Sequence, residues 1–496
     1  MRSDYWSELL QQERGSFESK INAFTGESSK RAAWMKHNLS SLLKREREGL
    51  QFRRSFERAA LFYHLFAAEE RKTNNDAWKE DVRAAYREMV YPAFDVPEKI
   101  QNLVGDLKLW SGQIELDPLP LYSLVVRFSF RLHKPYLSKD DTEFYVLDNP
   151  VRKEKVFGLP MVAPTQWKGA LRAAMTYQLA GWWLGLGDKA RAQRVNYRRF
   201  VAWRTDLVKI FGNEKGVLVN DRKLDAYLDQ VGGEKSARLY RRYLRRFVAS
   251  TGFRAGRLRF FPTFFTRIGL EVINPHERKT RAGTLPIYIE SVPSKAPGTF
   301  TLLYVPFDCI GEGEAKTRRQ VGADLRMLGK GIQAMLTSYG FGAKTSSGFG
   351  VAEDRLVEPG RLVLKVTGLP TEKPREPKTV EPKRRKALRR YWKAENQLRD
   401  EFLTAEGEFV SEERYRAYIE SLGRQYKKSD RKLYDKARKW WEQEGKASAE
   451  QQAEEPEPEP EAAKPRWAER TFANLGEMAK QMERLADALL AEGGQE

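Results

Sequence analysis

A glycine-rich run from Tyr339 to Gly350 holds the residues of this chain that are best suited to contact an anion. Glycine permits positive φ and brings the main chain close to a ligand, so neighbouring N–H groups can converge on a phosphate. The residues of the run that could do this are Gly340, Gly342, Lys344, Thr345, Ser346, Gly348 and Gly350. The run predicts a loop that holds phosphate or a nucleic-acid backbone, with a flexible hairpin as the alternative.

The elements around this glycine loop exclude a nucleotide-binding P-loop. A P-loop has glycine directly before its lysine and a helix after it, whereas Ala343 precedes Lys344 here. Apolar residues between Val321 and Leu336 recur with helical spacing. The predicted order is therefore helix, glycine loop, strand.

Two other segments carry cations at helical spacing. Lys168 and Arg172 lie at i and i+4 beside a predicted helix start with Thr165 as its N-cap. A helix N-terminus with two cations favours phosphate, but taken alone this segment fits a solvated basic face better. A second predicted helix carries an arginine stripe without interspersed acid, formed by Arg238, Arg241, Arg242, Arg245 and Arg246. Because like charges repel, the stripe predicts contact with a phosphate backbone. Arg254, Arg257 and Arg259 are expected to extend it.

Carboxylates lie in the loop between the first predicted strand of the middle region and its first long helix. They are Asp140, Asp141 and Asp148. Carboxylates on such a loop could bind Mg²⁺ or accept a proton from an attacking hydroxyl or water. An ordinary Asn-Pro turn at Asn149-Pro150 is the alternative interpretation.

The composition favours a polyanionic partner. The 496 residues include 88 Lys and Arg against 68 Asp and Glu, a net charge of +20. No apolar run approaches the roughly 20 residues of a membrane span, and no signal peptide is apparent, so a cytoplasmic protein without membrane contact is expected. Cys309 is the single cysteine and the chain has four histidines. This excludes an internal disulfide and argues against a zinc site, so any metal should have oxygen ligands.

The pattern of strands and helices predicts an α+β fold. A helical N-terminal region (1–115) precedes a domain (116–368) whose order of strand, helix, strands, helix, strand suits a ferredoxin-like, RRM-like core with insertions. The remaining regions are a linker (369–384), a helical region (385–446), a disordered acidic Pro/Glu segment (447–466) and a short amphipathic helix (467–496). The apolar stripe of that last helix could dock on a partner or fold back on its own chain.

Three segments in this order resemble the RAMP superfamily of repeat-associated proteins. The segments are the glycine loop Gly340–Gly350, the run Gly158–Arg172, and Phe211-Gly212 followed at a distance by Gly256–Phe260. The resemblance spans about residues 120 to 360. One departure is Thr165-Gln166-Trp167 in place of the Gly-Ser-Ser that is usual before Lys-Gly.

The resemblance implies an RNA-binding backbone subunit of a type III CRISPR effector. Its partners would be CRISPR guide RNA, complementary target RNA, other RAMP subunits and a large effector subunit. It also implies that Asp148, with Mg²⁺, promotes cleavage of bound target RNA, with Asp140 and Asp141 in reserve. Two alternatives remain: a purely structural RNA-binding subunit, and a stand-alone, metal-independent endoribonuclease for CRISPR transcripts that would use His133 and His276.

Overall fold

The core of the protein is an antiparallel sheet whose strands come from distant parts of the sequence. The structure, a computed structural model, describes residues 93–107, 117–140, 146–147, 149–213, 223–247, 254–274, 286–367, 402–404, 408–421, 423–442 and 466–492, with short stretches between 60 and 90 and at 109–110, 114, 392–394 and 397–398. The chain divides into two compact units, Met1–Thr371 with Pro465–Glu496, and Glu372–Lys464.

The strands of the first unit are β1 (Ala93–Asp95), β2 (Leu124–Arg131), β3 (Tyr136–Leu137), β4 (Met161–Val162), β5 (Gly212–Asn213), β6 (Arg254–Ala255), β7 (Leu258–Phe260), β8 (Thr263–Phe264), β9 (Arg267–Ile273), β10 (Ile287–Val292), β11 (Pro297–Tyr304), β12 (Arg355–Val366) and β15 (Arg466–Asn474). Its helices are α1 (Glu98–Asp106), α2 (Pro164–Gly185), α3 (Asp188–Ala192), α4 (Arg194–Phe211), α5 (Lys223–Phe247), α6 (Glu314–Ala334) and α9 (Leu475–Glu492). The second unit contains β13 (Trp392–Ala394), β14 (Gln397–Leu398), α7 (Glu412–Ser421) and α8 (Lys428–Trp440).

The main sheet confirms the predicted ferredoxin-like α+β fold. Four of its strands lie in the order β12-β2-β11-β7 and are all antiparallel. With α2 following β2 and α6 following β11, the chain order is β-α-β-β-α-β with the first and third strands at the centre. This is the split βαβ arrangement, and helices α3 to α5 are inserted into its first half.

The alternating sequence of β2 explains which face of the sheet is covered. Val126, Phe128 and Phe130 are buried, while Arg127 and Arg131 are exposed. Side chains alternate across a strand, so one face packs on the helices and the other stays polar. Phe128 stacks on Phe300 of β11 with ring centroids 5.2 Å apart, and the buried faces of α2 and α6 join the same core.

The C-terminal segment folds back on its own chain. It was expected to be one short helix, but it begins with β15, which pairs antiparallel with β12 and places Arg466 opposite Val366. The following α9 packs on α6 so closely that a Cβ at Gly329 would lie 3.2 Å from the Cα of Ala479. The apolar stripe of α9 therefore covers the first unit, and its strand extends the main sheet to five.

A second, four-stranded sheet has the order β1-β9-β10-β3, and β3 links it to the glycine loop. In the second unit, α7 and α8 enclose an aromatic core that includes Phe402, Tyr415 and Tyr434. Much of the predicted N-terminal helical region, the predicted linker 369–384 and residues 447–465 lie outside the described residues. No helix in the described part of the chain is long and apolar enough to cross a membrane.

Candidate nucleic-acid interface

The glycine loop is fixed to the core by one aromatic side chain. Phe341 is 1% exposed, and its ring centroid lies 4.5 Å from that of Trp167 and 5.5 Å from that of Tyr136. Trp167 belongs to α2 and Tyr136 to β3. Phe341 therefore ties the loop to the two elements beside which an RNA contact was predicted.

Two glycines of the loop are required by close backbone contacts. A Cβ at Gly350 would lie 1.8 Å from the carbonyl oxygen of Phe341, and one at Gly342 would lie 2.3 Å from that of Leu137. Both residues also have positive φ, 68° and 96° respectively. These glycines close the loop on itself and on β3, which is a structural role that any larger residue would disturb.

Several backbone N–H groups of the loop bond to carbonyl oxygens of the protein. The amide of Ala343 donates to Leu137 O at 2.7 Å, that of Gly350 to Pro135 O at 2.8 Å, and that of Gly348 to Thr345 O at 2.8 Å. These three donors are used inside the protein. The side chains of Lys344, Ser346 and Ser347 are exposed.

The start of α2 is open. Its N-cap is Ala163 with Pro164 as the first helical residue, and no side chain caps it, so the prediction of Thr165 as N-cap is wrong. Pro164 explains the shift, because proline is favoured in the first turn, where its missing N–H costs nothing. Thr165 lies exposed in that turn. Pro164 has no N–H and the amide of Gln166 donates to Ala163 O at 2.9 Å, so the amide of Thr165 and the helix dipole are what this turn can offer to an anion.

The next two residues of α2 hold this helix start in place. The side chain of Gln166 accepts a hydrogen bond from the Tyr136 hydroxyl at 2.7 Å, and Trp167 donates from Nε1 to Thr263 Oγ1 at 3.1 Å. Burial raises the pKa of Tyr136 to about 12, so this phenol remains a neutral donor. The sequence that departs from the usual RAMP pattern here therefore serves to position the helix start.

A cleft of about 340 Å³ lies where the glycine loop meets the start of α2. Its lining residues are Ser138, Lys139, Arg152, Thr165, Gln166, Gly342 and Ala343. Lys139 and Arg152 are exposed, and neither forms an ion pair with another described residue. The cleft combines a helix N-terminus with two available cations, which is an arrangement suited to a phosphate group.

Sequence reasoning did not single out Lys139 and Arg152 as site residues. They lie in the loop whose carboxylates drew attention, and the tertiary fold brings that loop to the start of α2. The sequence did offer one indication that they belong to the site. Lys139 directly precedes Asp140, and Arg152 follows Asp148 by four residues.

The loop that contains Asp148 is anchored at both ends. The amide of Asp140 donates to Pro150 O at 3.1 Å, and the amide of Glu290 donates to Asn149 O at 3.1 Å. The fully buried Glu290 carboxylate also accepts from the amide of Val151 at 3.0 Å. These contacts fix the chain on both sides of residues 141–145 and 148.

Glu290 receives its charge partner from the same loop. Lys153 donates to its carboxylate; burial lowers the pKa of Lys153, and the charge of Glu290 opposes that shift. Asp148 and Asp141 themselves lie outside the described residues. Asp140 is half-buried, and the described residues contain no group of three or more His, Cys, Asp or Glu that could hold a metal ion.

The predicted arginine stripe on α5 is partly neutralised by acids one or more turns earlier in the same helix. Arg238 pairs with Glu234 and Arg241 pairs with Asp229. Arg172 of α2 lies 3.6 Å from Asp225. Arg242 and Arg245 are exposed, so the part of the stripe near the end of α5 is the part that faces solvent. Lys168 is half-buried beside the start of α2.

The third RAMP-like motif has a structural role. β5 and β6 pair, which brings Gly212 opposite Ala255, and a Cβ at Gly256 would lie 2.6 Å from Gly212 N. Arg257 is 2% exposed and donates to Asp308 at 2.7 Å and to Asp324 at 2.5 Å. The prediction that Arg257 extends a surface patch is therefore wrong, because its guanidinium is buried and already pairs with Asp308 and with the buried Asp324. Arg254 pairs with Asp308 as well.

Of the histidines named for the stand-alone nuclease, His133 is exposed and donates its amide to Val351 O at 2.8 Å. His276 lies outside the described residues. The structure therefore does not bring the two together in a described site.

Comparisons with solved structures find chains of CRISPR complexes. A chain of the type III-B Cmr-beta complex bound to cognate target RNA is 16% identical over 59% of this chain and 78% of its own, with a TM-score of 0.30. A chain of a CRISPR RNA-guided surveillance complex is 10% identical over 50% of this chain and 80% of its own, with a TM-score of 0.26. Cmr6 from Pyrococcus furiosus is 17% identical over 47% of this chain and 100% of its own, with a TM-score of 0.23. No curated protein matches the chain.

A family model describes the central half of the sequence. The model of the RAMP superfamily matches residues 105–353. That range contains most of the ferredoxin-like core, the open start of α2, the glycine loop and both cations of the cleft. By this match the chain belongs to the RAMP superfamily.

Proposed function

We propose that this chain is an RNA-binding subunit of a type III CRISPR effector ribonucleoprotein in the cytoplasm. The observation that supports it best is the cleft in which Lys139, Arg152 and the uncapped start of α2 meet the glycine loop. A phosphate of the guide RNA backbone would occupy the cleft. Membership of the RAMP superfamily and the net charge of +20 agree with such a polyanionic partner.

The chemistry of the cleft favours backbone contact over base recognition. Two cations and a helix N-terminus attract phosphate without regard to sequence. Lys344 and Ser346 at the rim would contact adjacent phosphates or 2′-hydroxyls, and the exposed Arg242 and Arg245 of α5 would contribute to the same strand. A protein that binds guide RNAs of many different sequences needs contacts of this kind, which do not depend on sequence.

The remaining partners follow from the same proposal. Complementary target RNA would pair with the held guide, and other RAMP subunits and a large effector subunit would complete the assembly. In the alternative of a purely structural subunit, this chain would bind RNA but would not cut it.

A second function, target cleavage, is favoured by the anchored loop around Asp148. Arg152 lines the cleft four residues beyond Asp148, and Asn149 and Val151 are bonded to β10 through Glu290. On this basis we propose that Asp148 acts on the RNA backbone. The 2′-oxygen of one nucleotide would attack the adjacent phosphorus while the P–O5′ bond breaks. The leaving 5′-oxygen would take a proton from water, so the products are a 2′,3′-cyclic phosphate and a 5′-hydroxyl.

Asp148, with Asp140 in reserve, would accept the proton of the attacking hydroxyl or hold Mg²⁺. A set of one or two carboxylates plus RNA phosphate oxygens is the donor set that Mg²⁺ commonly takes. When bound there, Mg²⁺ would stabilise the charge that develops on the phosphate oxygens.

Purification of the complex from its native host tests the proposal. We expect short, repeat-derived guide RNA and several other subunits to co-purify, and the complex to bind a complementary RNA. The absence of such RNA contradicts the RNA-binding proposal. Asp148→Ala in the same complex should abolish Mg²⁺-dependent cutting while guide RNA stays bound. If the Asp148→Ala complex cuts as the native one does, Asp148 is not the catalytic residue. If cutting by the native complex survives EDTA, the metal-independent processing nuclease is favoured.

A further inference from the structure

Helix α8 of the second unit carries a row of four lysines on one face. The row consists of Lys428, Lys432, Lys436 and Lys439. At about 100° per residue these side chains leave the helix within roughly 80° of one another. The opposite face of α8 is the one that packs inward, where Tyr434 and Ala437 are 2% and 1% exposed.

The lysine row has no ion-pair partner among the described residues, whereas three arginines of this unit have one. Arg416 pairs with Glu420, Arg431 with Glu412, and Arg438 with Glu442. All four lysines are exposed, and none forms an ion pair with another residue that the structure describes. Asp435 borders the row and is the one carboxylate of α8 on that side, so the row keeps a net positive charge.

The row is not explained by the stability of the unit. Like charges at i and i+4 destabilise a helix by about 0.2–0.5 kcal/mol per pair, and Lys428 with Lys432, and Lys432 with Lys436, have that spacing. Alternating charges would stabilise the same surface at no cost to the aromatic core. A row that costs stability and has no acidic partner in the described part of this unit indicates a polyanionic ligand.

We propose that the lysine row of α8 is a second RNA-binding surface, which contacts the backbone of single-stranded RNA. This inference rests on the proposed RNA-binding function of the chain and extends it to the second unit, which lies outside the RAMP match at 105–353. Lysines at i and i+4 are about 6 Å apart along the axis, so the row presents regularly spaced charges along one line. An extended strand fits such a row better than a compact anion does.

The test uses the full-length chain and a fluorescent single-stranded RNA of mixed sequence, with affinity measured between 50 and 300 mM salt. Replacing all four lysines by glutamine should lower the affinity roughly ten-fold or more. It should also reduce the magnitude of the slope of log K against log[salt] by about 3. Since glutamine is also a good helix former, thermal stability should stay equal or rise. A lysine variant with unchanged affinity and slope overturns the inference.

A matched pair of double variants separates the row from general charge. K432Q/K436Q and R416Q/R438Q remove the same charge from the same unit, and only the first should weaken RNA binding. Equal losses in both overturn the inference. Binding of poly-L-glutamate that equals RNA binding and shows the same dependence on the lysines would assign the row to an acidic protein instead.

A variant of the first unit, K139Q/R152Q, distinguishes this inference from the proposed function. If it loses RNA affinity while the lysine variant does not, the cleft stands and the second surface fails. If the lysine variant alone loses affinity, the cleft fails and the second surface stands. A wild-type chain that binds no RNA overturns both.

Discussion

At the scale of single residues, the cleft depends on two cations that form no ion pair with another described residue. Lys139 and Arg152 are exposed at its rim, whereas Arg238, Arg241 and Arg257 are paired with carboxylates. An arginine that is already paired must lose its partner to bind phosphate, so the available cations should dominate RNA affinity.

We therefore expect K139Q/R152Q to weaken single-stranded RNA binding and to reduce the salt slope by about 1.4, the value for two phosphate contacts. Fluorescence anisotropy at several salt concentrations measures both quantities. K316Q/K330Q is the matched control, because those exposed lysines pair with Glu312 and Glu483. A control that loses as much affinity as the cleft variant would show that only net charge matters.

The buried carboxyl group of Asp324 predicts that the free energy of unfolding depends on pH. Burial raises the pKa of Asp324 from 3.8 to about 6, although Arg257 opposes the shift. Between about pH 4 and pH 6 the folded protein therefore binds more protons than the unfolded chain, and this group makes the free energy of unfolding fall as the pH rises.

Asp324→Asn should remove that part of the pH dependence. Melting temperatures at pH 4.5, 5.5 and 6.5 measure this change in slope. Parallel curves for the variant and the native chain would contradict the assignment of this slope to Asp324.

At the scale of elements, the C-terminal strand and helix complete the domain. Strand β15 covers the edge of β12, and α9 buries side chains such as Met478, Met482 and Leu485 against α6. Without them a hydrophobic helix face and a sheet edge would meet water, which favours aggregation.

Ending the chain at residue 464 should therefore expose apolar surface and lower solubility. Dye binding to apolar surface and limited proteolysis measure the change. A synthetic peptide of residues 465–496, added in trans, should restore protease resistance, whereas a peptide with Met482→Asp should not. A truncated chain as stable as the full one would show that α9 is dispensable.

At the scale of the whole molecule, the second unit is an insertion between two paired strands. Val366 ends β12 and lies opposite Arg466 at the start of β15, so the chain leaves and re-enters the first unit at neighbouring positions. A short turn can join antiparallel strands at such a point.

We expect that replacing residues 368–464 by a four- or five-residue glycine-containing turn leaves the first unit folded. Its melting temperature should stay within a few degrees of the full chain, and the phosphate contacts of the cleft should persist. The contribution of the lysine row to the salt slope should vanish. If the shortened chain is insoluble although it keeps residues 465–496, the second unit is needed for folding.

The amino-acid sequence was sufficient to predict the periodic elements and the family. Apolar alternation around Val126 to Phe130 and helical spacing from Val321 to Leu336 predicted strand β2 and helix α6 correctly, because local periodicity reports which face is buried. The order of the motifs indicated a ferredoxin-like RAMP domain, which the strand order and the family match confirm.

Tertiary structure alone decided which charges are available and which elements meet. Arg257 reads as a surface cation in the sequence, but Asp324, 67 residues later, pairs with it in the core. Strand β15 pairs with a strand about a hundred residues earlier, and Lys139 and Arg152 reach the start of α2 only through the fold. These contacts join residues far apart in sequence, and local composition and spacing carry no record of such contacts.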